Sequence, residues 1–158
     1  MEENLSEEEI TRYQRSILEI GEEKQKILKT KKVLQVGAGG LGSPLSMYLV
    51  AAGIGELLLF ENDTLDLSNL GRQILYQTNE VNESKAALAE KKLKELNPNT
   101  RITVIEERLT EENAAEYLEG VDYLVDASDN FKTKHLINDL SLKYNIPCTI
   151  AGIRGFDG

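Results

Sequence analysis

The amino-acid sequence predicts an α/β fold in which helices cover both faces of a doubly wound, mostly parallel sheet. Three observations support this class: strand-like runs alternate with helical segments, the connections between them are short, and the first strand-like run, KKVLQVG, is of the continuous-apolar kind. Continuous apolar runs are typical of parallel strands that are buried on both faces. The alternation requires crossover helices, which are right-handed in such sheets. The expected architecture is therefore Rossmann-like.

A helical arm is expected before the sheet. Ser6 followed by Glu9 has the pattern of a capping box. Apolar residues then recur at helical spacing, at Ile10, Tyr13 and Ile17. A second short helix is expected from Gly21 to about Lys29. Because no repeat, low-complexity tract or Pro/Gly linker divides the rest, we expect an N-terminal arm over 1–30 and one nucleotide-binding domain over 31–158.

The strands and helices of the domain can be placed in order. The first strand, KKVLQVG, ends at a glycine-rich turn, and the helix LGSPLSMYLVAAG follows, with Pro44 tolerated near its start and Gly53 as its stop. One face of that helix is expected to carry Leu45, Tyr48, Leu49 and Ala52. The later elements are the strand ELLLFE, a helix over 81–96, the strand RITVIEE, the helix EENAAEYLEG, the strand VDYLVDA, a helix over about 131–144 and the strand IPCTIAGI.

Composition excludes several classes of protein. The chain has 158 residues, a formal net charge of −9 and a single cysteine, Cys148. Nucleic acids and anionic membranes attract clustered Lys and Arg, so we expect neither as a partner. A single cysteine cannot form an intrachain disulfide or a zinc site made of cysteines alone. The acidic start MEENLSEEEITRYQRS lacks the pattern of a secretory signal, so we expect a cytoplasmic location.

A glycine-rich turn and an acidic residue indicate a nucleotide site. Gly37, Gly39 and Gly42 follow the first strand and open a helix, where backbone N–H groups and the helix dipole attract phosphate. Glu61 ends the second strand, 19 residues after Gly42, where its carboxylate could accept both hydroxyls of a ribose. A carboxylate at a strand end is also often only a solvated charge or a cap. The pattern predicts an adenosine phosphate but leaves NAD and ATP both open.

Charged residues beyond the turn favour a triphosphate. Arg72 follows the second strand and Lys85 begins the next helix, and the roughly four negative charges of a triphosphate exceed what one helix N-terminus can offset. Asp129 follows the fourth strand, where a carboxylate can hold Mg²⁺ between phosphate oxygens. Each residue has an ordinary alternative role: a surface salt bridge for Arg72, an exposed first-turn residue for Lys85 and a helix N-cap for Asp129.

An ordered series of motifs resembles the ThiF/MoeB/HesA family, which is related to the ubiquitin-activating enzymes. The motifs are RYQRSILEIG, VGAGGLGSP, LDLSNLGRQILY, SKAALAE, LNPN and DASDN, and they cover nearly the whole chain. The resemblance implies that ATP and Mg²⁺ are used to adenylate the C-terminal glycine of a small ubiquitin-like sulfur-carrier protein, for thiamin, molybdopterin or another product. An NAD-dependent oxidoreductase and a non-catalytic nucleotide-binding relative remain as alternatives.

The resemblance also assigns roles to individual residues. It places Gly39 and Gly40 against the phosphates, Glu61 at the ribose, Asn69, Arg72, Gln73 and Lys85 around the triphosphate, and Asp129 on the magnesium ion. It further implies a homodimer in which Arg15 reaches the ATP of the neighbouring subunit. Three positions depart from the usual family pattern: Glu61 stands in place of Asp, Gly71 in place of a larger residue, and Lys134 in place of Arg.

The same resemblance implies that related chains continue beyond AGIRGFDG into more strands, a carrier-binding surface and usually a Cys-x-x-Cys zinc pair. We therefore expect this chain to be a truncated fragment that holds nucleotide without completing turnover, with Zn²⁺ only in a longer chain. The proposed nucleophile is a carboxylate, ionised at pH 7 because its unperturbed pKa is about 3.5, so no His or Cys base is required.

Overall fold

A five-stranded parallel sheet forms the centre of the molecule. The computed structural model describes residues 4–153 and 157–158, so residues 1–3 of the predicted arm and residues 154–156 of the predicted domain lie outside the described residues. All pairings are parallel and the strand order is β3-β2-β1-β4-β5, which confirms the doubly wound sheet. The strands are β1 Lys32–Val36, β2 Glu56–Phe60, β3 Arg101–Ile105, β4 Tyr123–Asp126 and β5 Cys148–Ile150.

Helices cover both faces of this sheet. They are α1 Glu7–Ile20, α2 Glu22–Lys29, α3 Gly42–Ala51, α4 Lys85–Leu96, α5 Glu111–Tyr117 and α6 Phe131–Tyr144, with short 3₁₀ turns at Leu67–Asn69 and Thr78–Glu80. Alternate residues of a strand point to opposite faces. In β2, Leu57 and Leu59 belong to the core cluster that contains α3 and α4 residues, whereas Leu58 and Phe60 belong to the cluster that contains α5 and α6 residues. Among the described residues, no helix combines the length and the apolar character needed to cross a membrane.

Several predicted boundaries and one helix face differ in the structure. The helix predicted over 81–96 begins at Lys85, because Ser84 caps it by accepting a hydrogen bond from the backbone N–H of Ala87. The strand predicted over IPCTIAGI shortens to Cys148–Ile150, which is the length that pairs with β4. On α3, Leu45 and Leu49 of the predicted face pack against the core, but Tyr48 is 77% exposed, and the buried positions of this helix are Gly42, Ser43, Ser46 and Val50.

The arm packs on the body through specific contacts. The predicted capping box of Ser6 and Glu9 is present at the start of α1. The buried ring of Tyr13 lies against Gly53, and its hydroxyl accepts a hydrogen bond of 2.8 Å from Nδ2 of Asn97. The buried carboxylate of Glu9 pairs with Lys29 of α2 at 2.9 Å. These contacts hold α1 in one position relative to the sheet.

Candidate nucleotide site

A cleft of about 1480 Å³ lies at the carboxyl edge of the sheet, where the loops after β1, β2 and β4 meet. This is the edge at which doubly wound sheets bind ligands. Most of the predicted site residues line it: Gly37, Gly39, Gly40, Glu61, Arg72, Gln73, Lys85 and Asp129. Residues that are far apart in the sequence therefore share one cavity.

The glycine-rich turn is closed by contacts that only glycine permits. Gly37 has φ 91°, in the left-handed region, and a Cβ added to Gly42 would lie 2.0 Å from the carbonyl oxygen of Gly37. The side chain of Gln35, fully buried in β1, donates to the carbonyl oxygens of Gly37 at 2.9 Å and Gly42 at 3.0 Å. Gly42 thus shapes the turn without lining the cleft. No side chain caps α3. The N–H of Ser43 donates to the carbonyl oxygen of Gly39 at 2.8 Å, but among the described residues the N–H groups of Gly40 and Leu41, which line the cleft, have no acceptor and can meet an anion.

Two hydroxyl groups fix the peptide that follows Gly37. The carbonyl oxygen of Ala38 accepts hydrogen bonds from Oγ of Ser43 at 2.9 Å and from the hydroxyl of Tyr76 at 3.2 Å. Burial, followed by the nearby carboxylate of Glu61, raises the pKa of Tyr76, so this hydroxyl stays protonated and donates.

Glu61 is largely occupied by backbone groups. Its Oε2 accepts from the N–H of Ala38 at 2.9 Å, and its Oε1 accepts from the N–H groups of Asn62 and Asp63, each at 2.9 Å. Its exposed fraction is only 6%. Since a carboxylate has about four acceptor positions, about one remains for a ribose hydroxyl. The role of Glu61 at the ribose stays a prediction.

The loop after β2 brings a cation and an amide to the glycines. The Arg72 side chain lies alongside Gly40, with its Cγ and Cδ each 3.4 Å from the position that a Cβ of Gly40 would take, and its Nη1 donates to the carbonyl oxygen of Ser68 at 3.3 Å. Gln73 is only 4% exposed, and among the described residues its Oε1 has no hydrogen-bond partner. A buried amide oxygen that lines a cleft without a partner indicates a missing donor.

Lys85 contributes a second cation from the start of α4. Its side chain is 5% exposed, and its ammonium lies 3.4 Å from Oδ2 of Asp63, whose side chain is 62% exposed. This weak pairing with a solvated carboxylate is the one ion pair that the structure assigns to Lys85 among the described residues. A buried ammonium is costly without a close anion.

Besides Gly42, two predicted site residues lie outside the cleft, Asn69 and Arg15. The Oδ1 of Asn69 accepts from the N–H of Asp66 at 3.1 Å, as part of a capping box around the 3₁₀ turn. Arg15 lies on the exposed side of α1 and does not line this cleft. Their predicted contacts with nucleotide stay predictions.

Asp129 lines the cleft from the loop after β4. It is exposed, and no hydrogen bond to its side chain occurs among the described residues. The next residue, Asn130, is the N-cap of α6 and accepts from the N–H of Thr133 at 2.9 Å. Residues 4–153 and 157–158 contain no cluster of three or more His, Cys, Asp or Glu residues that could hold a metal ion. A single carboxylate fits Mg²⁺ that is bound together with phosphate oxygens and water.

Sequence reasoning missed one buried polar group at this site, Gln35, and the ion pair of another, Asp126. Gln35 stands inside an apolar strand, and this interruption was the signal for it. Asp126 is fully buried at the end of β4 and pairs with Lys134 of α6 at 2.6 Å. The acidic residue at the strand end was visible, but its partner in the next helix was not.

Comparison with known proteins identifies the family. The model of the ThiF family matches residues 13–158. The chain belongs to the ThiF family. The matched region contains the glycine turn, Arg72, Lys85 and Asp129, which line the cleft.

Individual relatives of this ThiF-family chain have informative names. It is 46% identical over 155 residues to a sulfur carrier protein adenylyltransferase of Thermus thermophilus, covering 97% of this chain and 57% of that protein. It is 36% identical over 156 residues to the sulfur carrier protein ThiS adenylyltransferase of Escherichia coli, covering 98% and 62%. The chain thus spans about three fifths of the length of these relatives.

Solved structures show the same fold. The structure of the E. coli tRNA N6-threonylcarbamoyladenosine dehydratase TcdA in complex with ATP superposes with a TM-score of 0.89 at 28% identity, covering 95% of this chain and 62% of that one. The same protein has also been solved in complex with AMP. Adenine nucleotides therefore bind to a structural neighbour of this ThiF-family chain.

Proposed function

We propose that this chain carries the nucleotide site of an enzyme that uses ATP to adenylate the C-terminal glycine of a small ubiquitin-like sulfur-carrier protein, with release of pyrophosphate. Membership of the ThiF family and the names of the Thermus and E. coli relatives support this proposal. The ATP and AMP complexes of TcdA support the choice of nucleotide.

The observation that carries the proposal is the buried ammonium of Lys85. It faces the cleft with one weak carboxylate partner, and Arg72 lies beside the glycine turn in the same cleft. A triphosphate would bring about four negative charges to these two cations, whereas a dinucleotide such as NAD brings only about two. The arrangement therefore favours ATP over NAD.

In the proposed reaction, a carboxylate oxygen of the carrier's C-terminus attacks the α-phosphorus of ATP. The bond between that phosphorus and the oxygen bridging to the β-phosphorus breaks, and pyrophosphate leaves with the bond's electron pair. The product is a carboxyl-adenylate. The chain's own groups position the phosphates through the glycine turn, and Arg72 and Lys85 offset the charge that develops on the leaving group. Mg²⁺, held by Asp129 together with phosphate oxygens, would supply further charge neutralisation.

We also propose that the enzyme is a homodimer and that Arg15 acts in the neighbouring subunit. The exposed position of Arg15 on a firmly packed α1, away from its own cleft, supports this. In a protein of the relatives' length, Arg15→Ala and Asp129→Ala homodimers should each be nearly inactive. Equal mixing makes half of the dimers mixed, each with one intact site, so activity should recover to roughly a quarter of the parent rate. No recovery after confirmed subunit exchange would place Arg15 in its own subunit's site.

Titration calorimetry with this chain tests the nucleotide assignment. Mg-ATP should bind more tightly than NAD, and Lys85→Ala should weaken Mg-ATP binding. Lys91→Ala is the matched control, because Lys91 is an exposed residue of the same helix and should leave binding unchanged. Tighter binding of NAD than of Mg-ATP would overturn the proposal. In a protein of full length, carrier-dependent exchange of pyrophosphate into ATP then tests the reaction itself.

A further inference from the structure

We infer that Lys134 is a positioning residue for the Asp129 carboxylate. It acts by fixing the peptide unit between Ser128 and Asp129. The inference rests on the proposed function, because it assigns to Asp129 the metal-dependent part of ATP binding. Its evidence is a set of hydrogen bonds around the end of β4.

Lys134 uses its whole donor capacity on the protein. Its Nζ donates to Oδ2 of Asp126 at 2.6 Å, to the carbonyl oxygen of Ser128 at 2.9 Å and to the carbonyl oxygen of Ala151. An ammonium group has three N–H donors, so none remains for a nucleotide. Although Lys134 lines the cleft, it therefore serves to hold protein groups in place.

One of these bonds acts directly on Asp129. The carbonyl group of Ser128 and the N–H group of Asp129 belong to the same planar peptide unit. A hydrogen bond to that carbonyl oxygen therefore restricts the orientation of the backbone that carries the Asp129 side chain. The N–H of Ser128 also donates to Oδ1 of Asp126 at 3.0 Å, so Asp126 and Lys134 hold Ser128 from both of its backbone groups.

The other flank of Asp129 is held by the helix. Asn130 caps α6 through the N–H of Thr133, and Lys134 belongs to the same first turns of α6. Asp129, exposed and without a side-chain hydrogen bond among the described residues, is thus placed between two restrained neighbours. Outer-shell hydrogen bonds generally orient a metal ligand before the metal binds. The hydrogen bonds on either side of Asp129 would orient its carboxylate in the same way.

The test measures how much Mg²⁺ strengthens ATP binding. Calorimetry compares the affinity for ATP with excess Mg²⁺ and with a chelator, and the ratio of the two is the metal-dependent gain. Lys134→Met should reduce this gain by about 10–100-fold, which is the usual effect of removing an outer-shell partner of a metal ligand. The affinity for ATP in chelator should stay near the parent value. Lys134→Arg should keep the gain, because a guanidinium can donate to all three acceptors. Lys143→Met, an exposed position of the same helix, is the matched control.

Further variants keep the test decisive. Lys134→Met leaves the fully buried Asp126 without its cation, and if that variant does not fold, Asp126→Asn combined with Lys134→Met removes both charges and should show the same reduced gain. Asp129→Asn should abolish the gain, and adding Lys134→Met to it should cause no further loss. An undiminished gain in folded protein that carries Lys134→Met, alone or with Asp126→Asn, would overturn the inference alone. A parent protein without any metal-dependent binding of ATP would overturn the proposed function, and this inference with it.

Discussion

Gly42→Ala, at the start of α3, should change the free energy of unfolding through two opposing effects of known size. Alanine is the better helix former, by about 1 kcal/mol. However, its Cβ would lie 2.0 Å from the carbonyl oxygen of Gly37 and 2.7 Å from the carbonyl carbon, both of which are backbone atoms. Overpacking of this kind costs up to about 3 kcal/mol. Since the clash outweighs the gain in helix propensity, we expect a net loss of about 2 kcal/mol, which lowers Tm by about 4–8 °C in a chain of this size.

Thermal unfolding followed by circular dichroism measures this change. Gly71→Ala is the matched control, because among the described residues no atom apart from those of its chain neighbours lies within 4 Å of a Cβ at Gly71, and its Tm should stay near that of the parent. Gly42→Ala should also weaken ATP binding, since opening the turn moves the N–H groups that would meet phosphate. If Gly42→Ala melts at or above the parent Tm, the turn is not closed as described and the packing argument fails.

Three further predictions concern the arm and the cleft. Gly53→Ala should lower stability towards urea by about 1–3 kcal/mol, because its Cβ would lie 2.5 Å from the Tyr13 ring; an unchanged midpoint would contradict that packing. Burial raises the pKa of Glu9, but the N–H of Ser6 and the ammonium of Lys29 lower it below its ordinary value overall. Its stabilising effect should therefore be complete above about pH 4.3 and be lost as the pH falls through the lower folded-state pKa, and Glu9→Gln should remove this part of the acid dependence in urea titrations. Arg72→Ala should slow pyrophosphate exchange roughly a hundredfold in a protein of full length, and a parent-like rate would make Arg72 a surface charge.

The succession of strands and helices along the chain could be predicted because the sequence signals for each element are local. Short apolar runs between the helical segments marked the five strands, and the capping box of Ser6 and Glu9 marked the start of α1. Boundaries were less accurate, as at the start of α4, because a strand ends where its neighbour ends and a helix starts where a cap is satisfied. The exposure of Tyr48 could not be predicted, because helical spacing does not say which side of α3 packs on the sheet.

The candidate site was predictable in its membership but only partly in its contacts. Gly39, Arg72, Lys85 and Asp129 line one cleft as the motif order indicated. The sequence did not reveal that Glu61 is occupied by three backbone N–H groups. Such a role depends on how closely the end of β2 approaches the turn after β1, which is a property of sheet geometry.

By itself, the sequence determined the fold class, the glycine turn and the set of polar residues at one edge of the sheet, because periodicity and motif spacing act over short stretches of chain. Only the tertiary structure decided which polar groups are already satisfied and which remain available. Lys134 is fully occupied by Asp126, Ser128 and Ala151, whereas the amide oxygen of Gln73 has no partner among the described residues. The physical reason is that a buried polar group must find its partner in whatever element packs beside it, and the order of strands in the sheet decides that neighbour.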